Sequence, residues 1–119
     1  MPGKSSGSVR VFYPRLSREE VLERLRRRLP ELAGRLPLRK AVLFGSYARG
    51  NFTVASDIDL LLIYKGTHRG DAYSLARRLL AIPGLEVHAY SEEEYRRLGE
   101  TVRRMEKDGI VVYGGKEER

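Results

Sequence analysis

The 119-residue chain has no cysteine and no tryptophan. Without cysteine there can be no disulfide, no thiolate metal site and no cysteine nucleophile. No apolar run approaches the length of a membrane span, and the N-terminus lacks the apolar core of a signal peptide. The default expectation is therefore a cytoplasmic protein with no membrane association. Internal repeats and linkers are also missing. A chain of this length makes one domain, with enough residues for a real core and little room for a second lobe. Acidic residues are the minority, 16 against 23 basic, for a net charge of +7. Such a balance suits an anionic partner: a nucleotide, a nucleic acid or an acidic protein surface. It is equally the mark of a solvated, charge-rich surface. No helix-turn-helix pattern, RNA-binding motif or aromatic-plus-basic stripe favours sequence readout of a nucleic acid.

What is present organises itself around residues 42–62. Two strand patterns, 40–44 and 58–64, flank a polar connection that opens with Gly45-Ser46. The second strand is entered by Asp57 and Asp59, which alternation places on one face. Ile58 and Leu60 to Ile63 form an apolar run that predicts burial on both faces of the strand. Two carboxylates at the mouth of such a strand are costly unless cations or donors compensate them. Paired carboxylates are natural ligands for Mg²⁺, which prefers oxygen and commonly shares its shell with phosphates. A glycine after a strand lets backbone N–H groups approach an anion, and the Ser46 hydroxyl adds a donor.

The rest of the chain reads as alternating helices and strands. Residues 1–8 are Gly/Ser-rich and expected to be disordered, and residues 9–13 fit a short extra strand. Ser17 and Glu20 form a capping box, with Leu16 and Val21 as a hydrophobic staple. Val21, Leu22, Leu25, Leu29 and Leu32 make the inner stripe of the first helix. Pro30 predicts a kink or break in it, and Gly34 a terminator. Asp71 is expected to cap a second helix with Ala72, Leu75, Ala76, Leu79 and Leu80 inward, stopped by Pro83-Gly84. In residues 85–90, Leu85, Val87 and Ala89 share one strand face and Glu86, His88 and Tyr90 the other. Ser91 and Glu94 repeat the capping box, with Tyr90 and Tyr95 as its staple. Tyr95, Leu98, Val102 and Met105 predict one helix ending at Gly109. Residues 110–113 form a last strand, and 114–119 a charged tail. The expected fold is α/β: a central mixed sheet flanked by helices, over residues 9–113.

Gly45-Ser46, ten intervening residues and then Asp57-x-Asp59 resemble the signature of the nucleotidyltransferase superfamily that includes DNA polymerase beta. The form Gly-Ser-Tyr-Ala-Arg-Gly…Ser-Asp-Ile-Asp-Leu is similar in particular to the minimal nucleotidyltransferases. The likeness covers residues 17–113 in element order, with the sharp motif at 45–60. It implies a compact nucleotidyltransferase fold and a two-metal transfer of a nucleoside monophosphate, AMP from ATP. Asp57 and Asp59 would hold two Mg²⁺ ions about 3.5–4 Å apart. Gly45 and Ser46 would hold the terminal phosphates, and Arg49 would neutralise pyrophosphate; a surface ion pair is the plain alternative for Arg49.

A third carboxylate in this superfamily ligates the metal beside the nucleophile. Its matching position is Glu86, where many relatives carry the shorter Asp. His88 shares the Glu86 face and is read as a structural histidine, though within reach of a substrate; His68 is assigned nothing. Larger relatives append domains that grip the acceptor, and this chain has none. The resemblance therefore implies an acceptor hydroxyl on a protein partner, typically a small helical HEPN protein neutralised in a toxin–antitoxin pair. A non-catalytic module that neutralises its partner by complex formation alone is the other reading, and a nucleic-acid partner is a distant third.

Overall fold

A computed structural model describes residues 16–53 and 56–114. The chain runs α1 (Arg18–Ala33), β1 (Leu38–Phe44), α2 (Ser46–Arg49), β2 (Ile58–Tyr64), α3 (Ala72–Leu80), β3 (Leu85–Ser91), α4 (Glu92–Leu98), α5 (Glu100–Glu106) and β4 (Ile110–Gly114). Among these residues the sheet has the order β3-β2-β1-β4. β1 pairs antiparallel with both β2 and β4, while β2 and β3 are parallel. The sheet is therefore mixed, as the sequence predicts. The parallel step needs a crossover, which α3 supplies.

Alternation along the strands sorts their residues onto two faces. Ala41 and Leu43 of β1, Ile58, Leu60, Leu62 and Tyr64 of β2, and Leu85 and Val87 of β3 meet the inner stripes of α1 and α3 in one large core. Val42, Leu61 and Ile63 face the other way, toward Val102 of α5, with Phe44, Tyr90, Tyr95 and Met105 packed around them. β2 is thus buried on both faces, as its apolar run predicts. Full burial of each such aliphatic side chain contributes roughly 1.5–3 kcal/mol.

Both predicted capping boxes form. Ser17 Oγ accepts from the Glu20 N–H at 3.1 Å and Ser91 Oγ from the Glu94 N–H at 3.1 Å. Each glutamate returns the bond at 2.8 Å. The Ser91 N–H holds the Glu94 carboxyl below the usual carboxylate range.

Elsewhere local expectation gives way to tertiary context. α1 runs through Pro30 to Ala33 without a break. Pro30 lies one turn from the helix end, where it costs one ladder bond, and Leu29 and Leu32 are buried on either side of it. Gly34 caps the helix in a right-handed conformation. Asp71 occupies the N-cap position of α3, but its side chain makes no bond to the helix backbone. The Arg69 guanidinium takes its carboxylate instead, Nε to Oδ1 at 3.1 Å and Nη2 to Oδ2 at 2.9 Å. α3 ends ahead of Pro83-Gly84, at Ala81 with φ +48°. The single helix expected before Gly109 is two, divided at Gly99 with φ +40°. Residues 1–15 and 115–119, with the expected extra strand at 9–13 and most of the tail, lie outside the described residues.

Candidate active site

The connection from β1 to β2 crosses the end of the sheet. Gly45 turns the chain at φ +79°, ψ −156°, a region that only glycine occupies without strain. The short helix α2 follows, held by contacts at Tyr47 and Ala48. Tyr47 is fully buried, stacks on Phe52 with centroids 4.0 Å apart, and donates its hydroxyl to Leu16 O at 2.9 Å. Arg18 Nη1 donates to Ala48 O at 2.7 Å. The motif turn is thereby clamped to the start of α1. Beyond it, Thr53 N–H donates to Ser56 Oγ at 2.9 Å and Ser56 N–H to Thr53 O at 3.0 Å. That turn leads into Asp57 and β2, whose entry is fixed by the Ile58 N–H donating to Gly84 O at 2.9 Å.

Register brings two candidate residues, Asp59 and Glu86, to one place. Phe44 pairs with Asp59 across β1 and β2, and Asp59 pairs with Glu86 across β2 and β3. Paired residues point to the same face of a sheet, so Asp59 and Glu86 are neighbours on the α4/α5 side. Asp59 also meets the glycine turn. A Cβ at Gly45 would stand 2.5 Å from Asp59 Oδ2, so only glycine lets the carboxylate lie against that backbone. His88 Nε2 lies 3.4 Å from Asp59 Oδ1, and its ring meets Phe44 edge-on with centroids 5.1 Å apart.

The other predicted residues are placed more loosely. Asp57 is exposed, one residue before β2 begins, and Glu86 is exposed near the start of β3. Among the described residues neither has an ion-pair partner, and Ser46, half-buried, makes no side-chain hydrogen bond. Arg49 is exposed and also without a carboxylate partner among them. Among the same residues no three acidic or histidine side chains stand close enough to hold a metal ion. Asp59 and Glu86 adjoin by register, while Asp57 stands two residues before Asp59, ahead of the paired strand. The contact missing from the sequence reading is His88 to Asp59. The signal for it was the shared Glu86–His88 face, but reaching Asp59 required the parallel register of β2 and β3.

Farther along the same face, Glu106 of α5 accepts from Lys40 Nζ at 2.7 Å and from the Tyr95 hydroxyl at 2.8 Å. Burial, and then the bond to Glu106, push the Tyr95 phenol above its ordinary value. No described helix is long and apolar enough to cross a membrane.

The arrangement has counterparts. A putative protein adenylyltransferase, MJ0604, of Methanocaldococcus jannaschii is 39% identical over 62 residues, which cover 48% of this chain and 56% of that protein. The chain thus matches little more than half of that relative's length. A solved structure of a putative nucleotidyltransferase from Sulfolobus solfataricus superposes with a TM-score of 0.59 at 24% identity, over 85% of this chain and 86% of the other. The MNT antitoxin complex with the tri-AMPylated HEPN toxin of Shewanella oneidensis gives a TM-score of 0.51 at 22% identity, over 82% and 76%. At these identities the structures speak for the fold alone. Nothing in the comparisons supports the nucleic-acid partner that the basic charge admits. The nucleotidyltransferase domain model matches residues 19–113, from the first turn of α1 to the next-to-last residue of β4. With the glycine turn and the Asp59 strand inside that span, the chain belongs to the nucleotidyltransferase domain family.

Proposed function

We propose that this chain transfers AMP from ATP to a hydroxyl group on a protein partner, with Asp57, Asp59 and Glu86 as its carboxylates. The observation that carries the reading is the Asp59 carboxylate seated against Gly45, where a Cβ would fill the space. This contact joins the two halves of the motif, the turn suited to phosphates and the strand suited to a metal.

The donor chemistry suits Mg²⁺, although no three of the described side chains stand close enough to share an ion as they are placed. The donor set consists of carboxylate oxygens, Asp59 adjoins Glu86 by register, and neither Asp57 nor Glu86 is neutralised by a cation among the described residues. Asp57 and Asp59 would hold two ions, with Glu86 beside the nucleophile. When bound, Mg²⁺ supplies charge neutralisation on the triphosphate and at the attacking oxygen. Gly45 and Ser46 would hold the terminal phosphates, and Arg49 would meet the departing pyrophosphate. The acceptor oxygen forms a bond to the α-phosphorus, the bond from that phosphorus to the β-phosphate bridging oxygen breaks, and Glu86 takes the hydroxyl proton.

A protein acceptor is the reading that the fold supports. The described residues form one sheet and its helices. In-line attack needs the hydroxyl held close to the α-phosphorus, so a partner must supply and orient it. The AMPylated HEPN toxin bound by an antitoxin of the same fold supports a helical protein as that partner. The adenylyltransferase name of the Methanocaldococcus relative supports AMP as the transferred group.

The direct test is mass spectrometry of a HEPN-type protein co-expressed with this chain. Wild type should add one or more adenylyl groups to the partner, and Asp57→Asn should add none. Tight binding and inhibition of the partner without a mass change, equally by Asp57→Asn, would replace this reading with stoichiometric neutralisation. Glu86→Gln should lower turnover far more than nucleotide affinity, because the lost group acts on the nucleophile.

A further inference from the structure

We propose that His88 is a positioning residue that holds the Asp59 carboxylate in its metal-binding orientation; this rests on the nucleotidyl-transfer reading above. Asp59 is restrained from two directions. Its Oδ2 lies against the Cα of Gly45, and its Oδ1 lies 3.4 Å from His88 Nε2. His88 is itself restrained, its ring set edge-on to Phe44 at an interplanar angle of 62°. Phe44, Asp59 and His88 come from three adjacent strands and one face. His88 is paired with Leu61 rather than Asp59, so its ring leans back along β3 to reach the carboxylate.

A histidine that only filled space against Phe44 would have no need of a carboxylate within reach of its ring nitrogen. Here each Asp59 oxygen meets a different neighbour. In the tautomer that carries its proton on Nε2, the ring donates to Oδ1 and fixes the carboxylate plane while leaving oxygen lone pairs for a cation. Hydrogen-bond partners of ligating carboxylates typically change metal affinity 10- to 100-fold when removed.

The test separates the ring nitrogen from the ring. His88→Phe keeps an aromatic ring against Phe44 and removes the nitrogen; His88→Gln keeps an N–H donor at similar reach. Mn²⁺ binding to the full chain with a non-hydrolysable ATP analogue, followed by the electron paramagnetic resonance of free Mn²⁺, needs no turnover. His88→Phe should weaken Mn²⁺ binding about 10- to 100-fold with its melting temperature near that of wild type. His88→Gln should retain most of the affinity. His88→Leu takes the place of the phenylalanine variant should that one not fold. Wild-type Mn²⁺ affinity in the variants without nitrogen, or equal losses in the glutamine and nitrogen-free variants, would overturn the proposal. Absence of saturable Mn²⁺ binding by the wild type would instead overturn the nucleotidyl-transfer reading itself.

Discussion

The two faces of the sheet are built on different terms. Among the described residues, 22 buried side chains form the core under α1 and α3, against four under α4 and α5. The thick face is largely apolar where it meets the helices, and the hydroxyls of its buried tyrosines are bonded to backbone groups. The thin face mixes a small apolar cluster with the Lys40–Glu106–Tyr95 network and, at its open end, Asp59, Glu86 and His88. Carboxylates are tolerated on the thin face because its end stays in contact with water, which spares them the desolvation cost of a closed core. Stability is therefore carried largely by one side of these strands, and the proposed chemistry lies on the other.

Substitutions along β2 test that division most severely. Leu62→Ala opens a cavity in the large core and should cost about 3–4 kcal/mol of unfolding free energy; Leu61→Ala, on the thin face, should cost nearer 2 kcal/mol. Equal losses in a denaturant titration would mean that the small cluster is as tightly constrained as the large one. Gly45→Ala comes next. The alanine must adopt a conformation nearly confined to glycine and its Cβ must displace Asp59, so about 1–3 kcal/mol should be lost. Adenylyl transfer should fall more than the folded fraction does. Activity that merely tracks folding would separate the glycine turn from the site.

Tyr95→Phe should cost about 1 kcal/mol at neutral pH through the lost bond to Glu106. The Tyr95 phenol is raised in the folded state from an ordinary value of 10.0. The folded protein then holds this proton more tightly than the unfolded chain, a contribution complete below pH 10 and lost as pH rises through the folded-state value. The stability gap between wild type and Tyr95→Phe should therefore narrow above pH 10, as melting curves at pH 8 and pH 10.5 would reveal. The smallest effect belongs to the exposed pair of α1, Arg27 Nη2 to Glu23 Oε2 at 3.1 Å. Arg27→Ala should change stability by no more than about 0.5 kcal/mol and leave adenylyl transfer unchanged.

Much of this division is legible in the sequence, since alternation alone places Leu60 and Leu62 opposite Asp59 and Leu61. The capping boxes at Ser17 and Ser91 are legible for the same reason: both partners lie within one turn. The failures share a cause. The break at Gly99 interrupts a periodic apolar pattern, and a glycine inside such a pattern does not announce a positive φ. Arg69 competes with the helix backbone for Asp71, a choice that side-chain geometry decides. Pro30 sits close enough to the end of α1 for burial of Leu29 and Leu32 to outweigh its cost. At the site, Gly45, Ser46, Asp57 and Asp59 follow from motif spacing. The meeting of Asp59 with Glu86 and His88 depends on the register of two strands separated by a helix, which no local pattern encodes.

The pairing of Phe44 with Asp59 also bears on the order in which the molecule comes apart. These residues close one end of the ladder between the two central strands, and the Gly45–Asp59 contact belongs to the same hairpin-like unit. β4 is attached outside that unit, along the far edge of β1. Amide exchange at the β1–β2 ladder should therefore approach the global unfolding limit, while β4 opens at lower free energy. Denaturant that frays β4 leaves the glycine turn and the Asp59 strand joined, so nucleotide binding should outlast the outer strand and vanish only when the centre of the sheet gives way.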